Sequence, residues 1–188
     1  VNYTFEDETD AAGPNQLTAR IYEAYASTDL MGYASVTAGR QALDYGSGAI
    51  VSSNQWGANR ATWDGFTFGL DLDMADISLG YANSSGANAD STGNSQMWLN
   101  AAKGDGDWTA NLLYTTSTVG TADATTAMGI DLGYAMMGGD LGLAVSYNTT
   151  SDGTTDGDMT SIGATYNVNE SMSITGNQTT YGENGFNA

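Results

Sequence analysis

Apolar residues at every second position constrain this chain more than any other feature of its sequence. The stretch FTFGLDL carries Phe66, Phe68 and Leu70 with small or polar residues between them, and ISLGY, GIDLGYAM, LGLAVSY and SIGATYNV repeat the pattern. Because successive side chains of an extended strand point to opposite faces, each stretch predicts a β-strand with one apolar face and one small or polar face. Helical periodicity is nearly absent.

The connections between the predicted strands alternate strictly in length. Short connections such as DMAD and KGDGD take turns with long ones such as NSSGANADSTGNS. This rhythm is typical of an up-and-down barrel of the outer-membrane type, which has short turns at one rim and long loops at the other. The fold class predicted is an all-β, antiparallel, up-and-down transmembrane β-barrel of which about ten strands are visible. These strands are expected at residues 17–27, 32–44, 62–72, 76–83, 95–103, 108–118, 127–137, 140–149, 159–168 and 171–181.

The residues on the non-apolar face favour a membrane barrel over a soluble sandwich. They are mainly Gly, Ala, Ser, Thr and Asn with almost no lysine, which suits a polar lumen better than a surface in water. Tyrosines also recur near the strand ends, where a membrane barrel has an interfacial aromatic girdle. For any single tyrosine, ordinary strand propensity is the alternative explanation. The girdle residues predicted are Tyr81, Tyr114, Tyr134, Tyr147 and Tyr166, together with Tyr181.

Composition excludes several classes of function. The chain has 4 Lys and Arg against 22 Asp and Glu, a net charge of −18, so a nucleic-acid partner is not expected. It contains no cysteine and no histidine, which removes disulfides, the common zinc ligands and the usual catalytic base. No enzymatic activity and no cofactor are predicted. There is no apolar run near 18 residues, so no transmembrane helix is expected either.

The first and last predicted strands both have their outer ends on the side of the long loops. A complete bacterial barrel normally places both termini on the side of the short turns. The expectation is therefore a single β-barrel domain over residues 1–188 that is incomplete at both ends and belongs to a larger barrel. The alternative is a closed ten-stranded barrel with both termini on the long-loop side.

One region is specific enough to suggest a family. The chain carries Glu23-Ala24-Tyr25, then Gly39-Arg40-Gln41, Leu43, Tyr45-Gly46 and Gly48, and finally Trp56, Arg60 and Trp63-Asp64-Gly65. This order resembles that of the alginate-export and phosphate-selective-like outer-membrane porins, over somewhat more than a quarter of the chain. The resemblance implies a monomeric or trimeric β-barrel that passes small solutes. It departs from the family at Ala49, where an arginine is frequent, and the few basic residues do not suit an anionic polymer as substrate.

The same region concentrates charged residues. A guanidinium that faces a polar lumen needs carboxylate partners, so a cluster in the barrel interior is expected. Two roles stay open for it, bracing of the barrel wall and narrowing of the pore. The predicted members are Glu23, Arg40, Asp44, Arg60 and Asp64.

A weaker candidate is a calcium site in the stretch SDGTTDGDMT. Asp152, Asp156 and Asp158 are spaced four and two residues apart, and hard cations take several oxygen ligands at flexible spacing. No EF-hand pattern accompanies them, so hydrated acidic loops are the alternative explanation. The N-terminal run FEDETD is likewise interpreted as a hydrated charge run.

Two functions from different classes follow. The first is a porin of the Gram-negative outer membrane, with its long loops extracellular, that passes small solutes or ions with a preference for cations. Its partners would be outer-membrane lipid, the solutes and further copies in a trimer. The second is an acidic extracellular β-rich protein, an adhesin or surface-layer protein with Ca²⁺-binding loops. Extraction only by detergent would favour the first function, and solubility in buffer the second.

Overall fold

The computed structural model describes residues 2–8, 16–54, 60–84 and 93–186. Eleven strands form one antiparallel sheet in which the spatial order is the order of the sequence. One turn of 3-10 helix, Met137–Gly139, follows the eighth strand. The strands are β1 (Asn2–Glu8), β2 (Gln16–Leu30), β3 (Ala34–Gln41), β4 (Trp63–Leu72), β5 (Ala75–Ser84), β6 (Asn94–Asp105), β7 (Trp108–Val119), β8 (Thr125–Met136), β9 (Leu141–Ser151), β10 (Asp156–Asn169) and β11 (Met172–Tyr181).

The described part of the chain holds no helix that is long and apolar enough to cross a membrane.

The ten predicted strands correspond to β2 through β11, so the alternation in the sequence located the strands well. β1 was not predicted, because its acidic residues were interpreted as a hydrated charge run. It pairs with the first half of β2, from Asn2 opposite Glu23 to Glu8 opposite Gln16. Strand pairing uses backbone groups, and charged residues are common on the edge strands of sheets.

The sheet is open in the described residues, so the closed ten-stranded barrel that was the alternative expectation is not formed. Within the residues described, β1 pairs with β2 alone and β11 with β10 alone, so these two strands are the edges. Alternation along a strand determines which side chains share a face. It carries no information on the number of strands or on how the edges pair, which depend on shear and strand number in the whole sheet.

The two faces of the sheet differ sharply, and the apolar one is exposed. Phe66, Leu79, Met97, Tyr114 and Leu132 each expose 42 to 53% of their surface. We call this the apolar face. Across β4 to β10 it consists of Phe66, Phe68, Leu70, Ile77, Leu79, Tyr81, Met97, Leu99, Leu112, Tyr114, Met128, Ile130, Leu132, Tyr134, Leu143, Val145, Tyr147, Ile162 and Tyr166.

The opposite face is covered by the connection after β3. Residues 42–54, which we call the covering segment, pack Leu43 and Val51 against Trp98 and Leu113 of the sheet. Most other side chains of this covered face are small or polar and many are buried. They include Ser78, Gly80, Ala82, Asn100, Asn111, Thr115, Ala127, Gly129, Asp131, Ser146, Asn148 and Thr150.

Candidate functional site

The covering segment is closed on itself by Asp44. Its carboxylate accepts hydrogen bonds from the backbone N–H of Ser53 at 2.8 Å and from the Ser53 hydroxyl at 2.6 Å. The Tyr45 N–H donates to the Val51 carbonyl at 3.2 Å. These bonds bring the two ends of the segment together, so that its middle forms a compact loop that can lie on the sheet.

Tyr45 fastens this loop to the covered face. Its hydroxyl oxygen accepts a hydrogen bond from Trp98 Nε1 at 2.9 Å and lies 2.9 Å from Ser78 Oγ. Burial raises the pKa of the Tyr45 hydroxyl, and the hydrogen bonds with Ser78 and Trp98 oppose that rise. The hydroxyl is therefore held in its neutral form, in which it can both donate and accept.

Gly46 forms the closest approach of the loop to the sheet. Its φ of +56° is in the left-handed region, where residues other than glycine are strained. A Cβ atom at this position would overlap the carboxylate of Asp131 and crowd Asn111 Oδ1. These two residues are cross-strand partners in β7 and β8. The loop thus places backbone directly over a polar pair in the sheet.

A cavity of about 430 Å³ opens beside this contact. Asp76, Asn111, Asp131 and Ser146 contribute to its lining, and so does Lys103. Asn111 Oδ1 and Asp131 Oδ1 are buried and accept no hydrogen bond from the described residues. Two buried oxygen acceptors beside a cavity are suited to bind water or a hydrated cation.

Carboxylates line a second cavity near the short turns. This cavity, of about 570 Å³, is bordered by Asp29, Asp71 and Asp76 together with Ser78 and Asn100. Asp71 and Asp76 are direct cross-strand partners on the same face. Like charges in that position repel each other, and they create a negative potential that attracts cations.

Uncharged polar groups line a third cavity, of about 550 Å³, between the covering segment and β9 to β11. Ser47 and Ala49 border it on one side, and hydroxyl and amide groups of the sheet border it on the other. Several of these groups bond to one another, as in the hydrogen bond from Ser161 Oγ to Asn177 Oδ1 at 2.8 Å. All three cavities lie on the covered face.

Two members of the predicted charge cluster, Arg40 and Asp64, form an ion pair with each other. Arg40 donates to Asp64 through Nε at 2.8 Å and through Nη2 at 2.7 Å, a bidentate ion pair. This pair lies on the apolar face, since Asp64 is in phase with Phe66 and Phe68, and both side chains are nearly half exposed. Arg40 and Asp64 were expected on the polar face that would line a barrel interior, and the structure places them on the opposite, apolar face.

The other three members lie elsewhere. Asp44 belongs to the covering segment, as described above. The Arg60 guanidinium lies over the ring of Tyr22, 5.1 Å from its centroid. Glu23 is in β2 next to Ala24, the cross-strand partner of Arg40, so the side chains of Glu23 and Arg40 point to opposite faces.

Five of the six tyrosines predicted as a girdle lie on the apolar face. Tyr181 is the cross-strand partner of Met159 and lies on the covered face, where it borders the 550 Å³ cavity, so its prediction was wrong. Tyr114, Tyr134, Tyr147 and Tyr166 are exposed, and Tyr81 is partly exposed beside Phe66, with 5.9 Å between the ring centroids. Their role at a lipid interface stays a prediction.

The three aspartates of the weak calcium candidate lie in the connection after β9 and at the start of β10. The Asp152 carboxylate accepts hydrogen bonds from the N–H groups of Thr154 and Thr155 at 2.9 and 2.7 Å, which lower its pKa. Asp156 and Asp158 lie in β10. In the described ranges, no three acidic residues are grouped in a way that could hold a metal ion.

The covering segment is the functional element that the sequence interpretation missed. The connection after β3 was expected to extend outward as an external loop. A signal was present, because Leu43, Ile50 and Val51 are apolar residues in a connection otherwise rich in Gly, Ser and Asn. Such residues need a surface to pack on, and Trp98 and Leu113 provide it.

Comparisons with known proteins add no relative. No family model matches the chain, and neither the curated proteins nor the solved structures contain a significant match to it.

Proposed function

We propose that this chain forms the wall of an outer-membrane porin that passes small solutes or ions and prefers cations. The observation that carries the proposal is the inverted polarity of the sheet. Apolar side chains are exposed on one face of β4 to β10, whereas the polar side chains of the other face are buried under the covering segment. A membrane wall has this arrangement, with lipid outside and a polar lumen inside.

Water is a poor environment for such a sheet. Soluble monomers rarely expose contiguous apolar patches larger than a few hundred Å², and the apolar face here extends over seven strands. In lipid the same face is favourable. Unpaired backbone groups, however, cost several kcal/mol each in hydrocarbon. The proposal therefore requires that the edges at β1 and β11 are paired in the membrane.

The residues of the covered face support a preference for cations. Asp29, Asp71, Asp76 and Asp131 line its cavities. Of the basic residues, Arg40 is paired with Asp64 on the apolar face, and Lys103 donates to the Asp73 carbonyl at 2.6 Å. A lumen lined by carboxylates raises the local concentration of cations.

Reconstitution into planar bilayers tests the proposal. The detergent-refolded chain is expected to give stepwise conductance, with a reversal potential in a KCl gradient that indicates cation selectivity. The double variant Asp71→Asn and Asp76→Asn should shift that potential toward the unselective value, whereas Asp123→Asn, in an exposed connection, should leave it unchanged. A chain that stays soluble and monomeric in buffer and gives no conductance would rule the proposal out.

The alternative, an acidic surface or fibre protein with Ca²⁺-binding loops, makes the opposite prediction for extraction. It requires a chain that is soluble without detergent and that assembles when Ca²⁺ is added. The separate hydrogen bonding of Asp152 gives this alternative no support, so the porin is the function proposed.

A further inference from the structure

We infer that the short turns of the sheet lie at the boundary between lipid headgroups and acyl chains, with their methionine side chains in the acyl region. This inference rests on the proposed membrane location and goes beyond it. The turn residues concerned, which we call the methionine rim, are Met31, Tyr33, Met74, Met137 and Met172. Their exposed fractions are 91, 81, 79, 65 and 51%.

The rim is a property of one end of the sheet. Three of the five short turns contain a rim residue, and the other two are followed directly by an exposed large side chain at the start of the next strand, Met172 in β11 and Trp108 in β7. At the other end, the described connections 120–124 and 152–155 contain only Gly, Ala, Thr and Asp, and the covering segment packs its apolar residues Leu43 and Val51 on the covered face. Water-exposed turns do not need large apolar side chains, so the difference points to two different surroundings.

The height of the apolar face supplies a second argument. Tyr81, Tyr114 and Tyr147 each lie six positions beyond the first residue of their strands. The next outward-facing residues after Tyr114 and Tyr147 are Thr116 and Thr149, so the apolar band ends at the tyrosines. A strand tilted by about 40° rises roughly 2.5 Å per residue along the membrane normal, and six positions therefore span about 15 Å.

On the neighbouring strands β6 and β8 the apolar residues extend only slightly farther from the short turns. Met97 and Met128 lie eight positions from the short-turn ends of β6 and β8, which corresponds to about 20 Å. The apolar band of outer-membrane barrels is about 25 Å tall. The apolar part of the strands is therefore roughly 5 to 10 Å shorter than such a band, and apolar residues at the short turns can supply the missing height.

The band cannot be extended in the other direction. The Arg40–Asp64 ion pair lies on the apolar face two positions beyond Phe66, toward the long connections. A charged pair is far more stable among headgroups and water than in acyl chains. It therefore marks the upper limit of the band and leaves the missing height at the short turns.

Carboxylates limit how deeply the turns can enter. Asp73, Asp107, Asp140 and Glu170 lie in or beside the same turns and are exposed. Acidic groups stay with headgroups and water, whereas the flexible methionine side chains reach into the acyl layer. The interfacial position satisfies both kinds of side chain.

Single-cysteine spin labels can measure this depth, because the natural chain contains no cysteine. Labels at Met74→Cys and Met137→Cys would be compared in phosphatidylcholine vesicles with labels at Leu79→Cys on the apolar face and Asp123→Cys in a long connection. Collision with oxygen reports the acyl region, and collision with a water-soluble nickel complex reports water. We expect the collision rates at the two rim labels to lie between those at Leu79→Cys and at Asp123→Cys. In particular, the rate of collision with oxygen at the rim labels should exceed the rate at Asp123→Cys.

The outcomes separate the two proposals. If the rim labels are as accessible to nickel as the label at Asp123→Cys while the label at Leu79→Cys lies in lipid, the inference is overturned. The proposed porin function would not be affected by that result. Rim labels shielded from both oxygen and nickel would overturn the inference in favour of a protein contact. A Leu79→Cys label accessible to nickel would instead remove the membrane location itself.

Discussion

At the scale of single residues, glycine allows bulky groups to lie flat against the covered face. Gly80 in β5 is the cross-strand partner of Trp98 in β6, and the Trp98 side chain points to this face. A Cβ at Gly80 would overlap the indole ring. The ring in turn donates to Tyr45 and packs with Val51, so one glycine supports the position of the whole covering segment.

Gly80→Ala should therefore lower the free energy of unfolding by about 1 to 3 kcal/mol, since overpacking moves the Trp98 ring. Gly176→Ala in β11 is the matched control, because no atom lies within 4 Å of its added Cβ. It should change stability by less than about 0.5 kcal/mol. Urea unfolding in detergent measures both, and equal effects in the two variants would contradict the tight contact.

Tyr45 makes the free energy of unfolding depend on pH in the alkaline range. Burial raises the pKa of its hydroxyl in the folded state, whereas an unfolded tyrosine ionises near about pH 10. The contribution is fully present below about pH 10 and is lost as the pH rises toward the folded pKa. Tyr45→Phe should reduce the loss of unfolding free energy between about pH 8 and pH 11, and Tyr33→Phe, in an exposed turn, should not. An unchanged alkaline loss in Tyr45→Phe would show that the hydroxyl is not buried.

At the scale of elements, the covering segment determines what the covered face can admit. Its ends are joined by the hydrogen bonds of Asp44 with Ser53, and its middle borders the 430 and 550 Å³ cavities. In the proposed porin this segment narrows the passage. It is thus the element on which conductance should depend most.

Replacing residues 45–52 with a short Gly-Ser linker should raise single-channel conductance, because the obstruction is removed while the sheet pairing is kept. It should also lower stability by a few kcal/mol, since burial of Val51 and Tyr45 contributes about 1.5 to 3 kcal/mol per side chain. Substitution of Thr121 and Asp123 by Ser and Asn, in another connection, serves as the control. Unchanged conductance after the replacement would mean that solutes do not pass the covered face.

At the scale of the whole molecule, the apolar face distinguishes a membrane sheet from one in water. Leu132 lies near the middle of the apolar band, and Thr118 lies above it on the same face. Both positions tolerate a large side chain sterically, since they are on the uncovered side of the sheet. Their surroundings differ only if lipid is present.

Leu132→Arg should destabilise the chain in lipid vesicles by about 2 to 4 kcal/mol, and Thr118→Arg by about 0 to 1 kcal/mol, because the cost of a charge depends on its depth. Unfolding by urea in vesicles of one lipid gives both values. Equal, small effects would be the result for a face in contact with water, and would count against the porin.

Much of the site could be read from the sequence at the level of faces. Asp64 is in phase with Phe66 and Phe68, so the alternation already assigned it to the apolar face. The expectation of an interior position rested on the need of a guanidinium for carboxylate partners in a polar lumen and did not use this phase. Its pairing with Arg40 depends on the register between β3 and β4, which local sequence does not specify.

The sequence by itself determined the strands, their order and the two faces, because alternation and turn spacing are local properties of the chain. Only the tertiary structure decided the rest. It folded residues 42–54 onto the sheet, paired Arg40 with Asp64 on the apolar face, left the edges open and added β1. Each of these depends on contacts between residues distant in sequence, such as Tyr45 with Trp98 or Asn2 with Glu23, whose energies no local pattern contains.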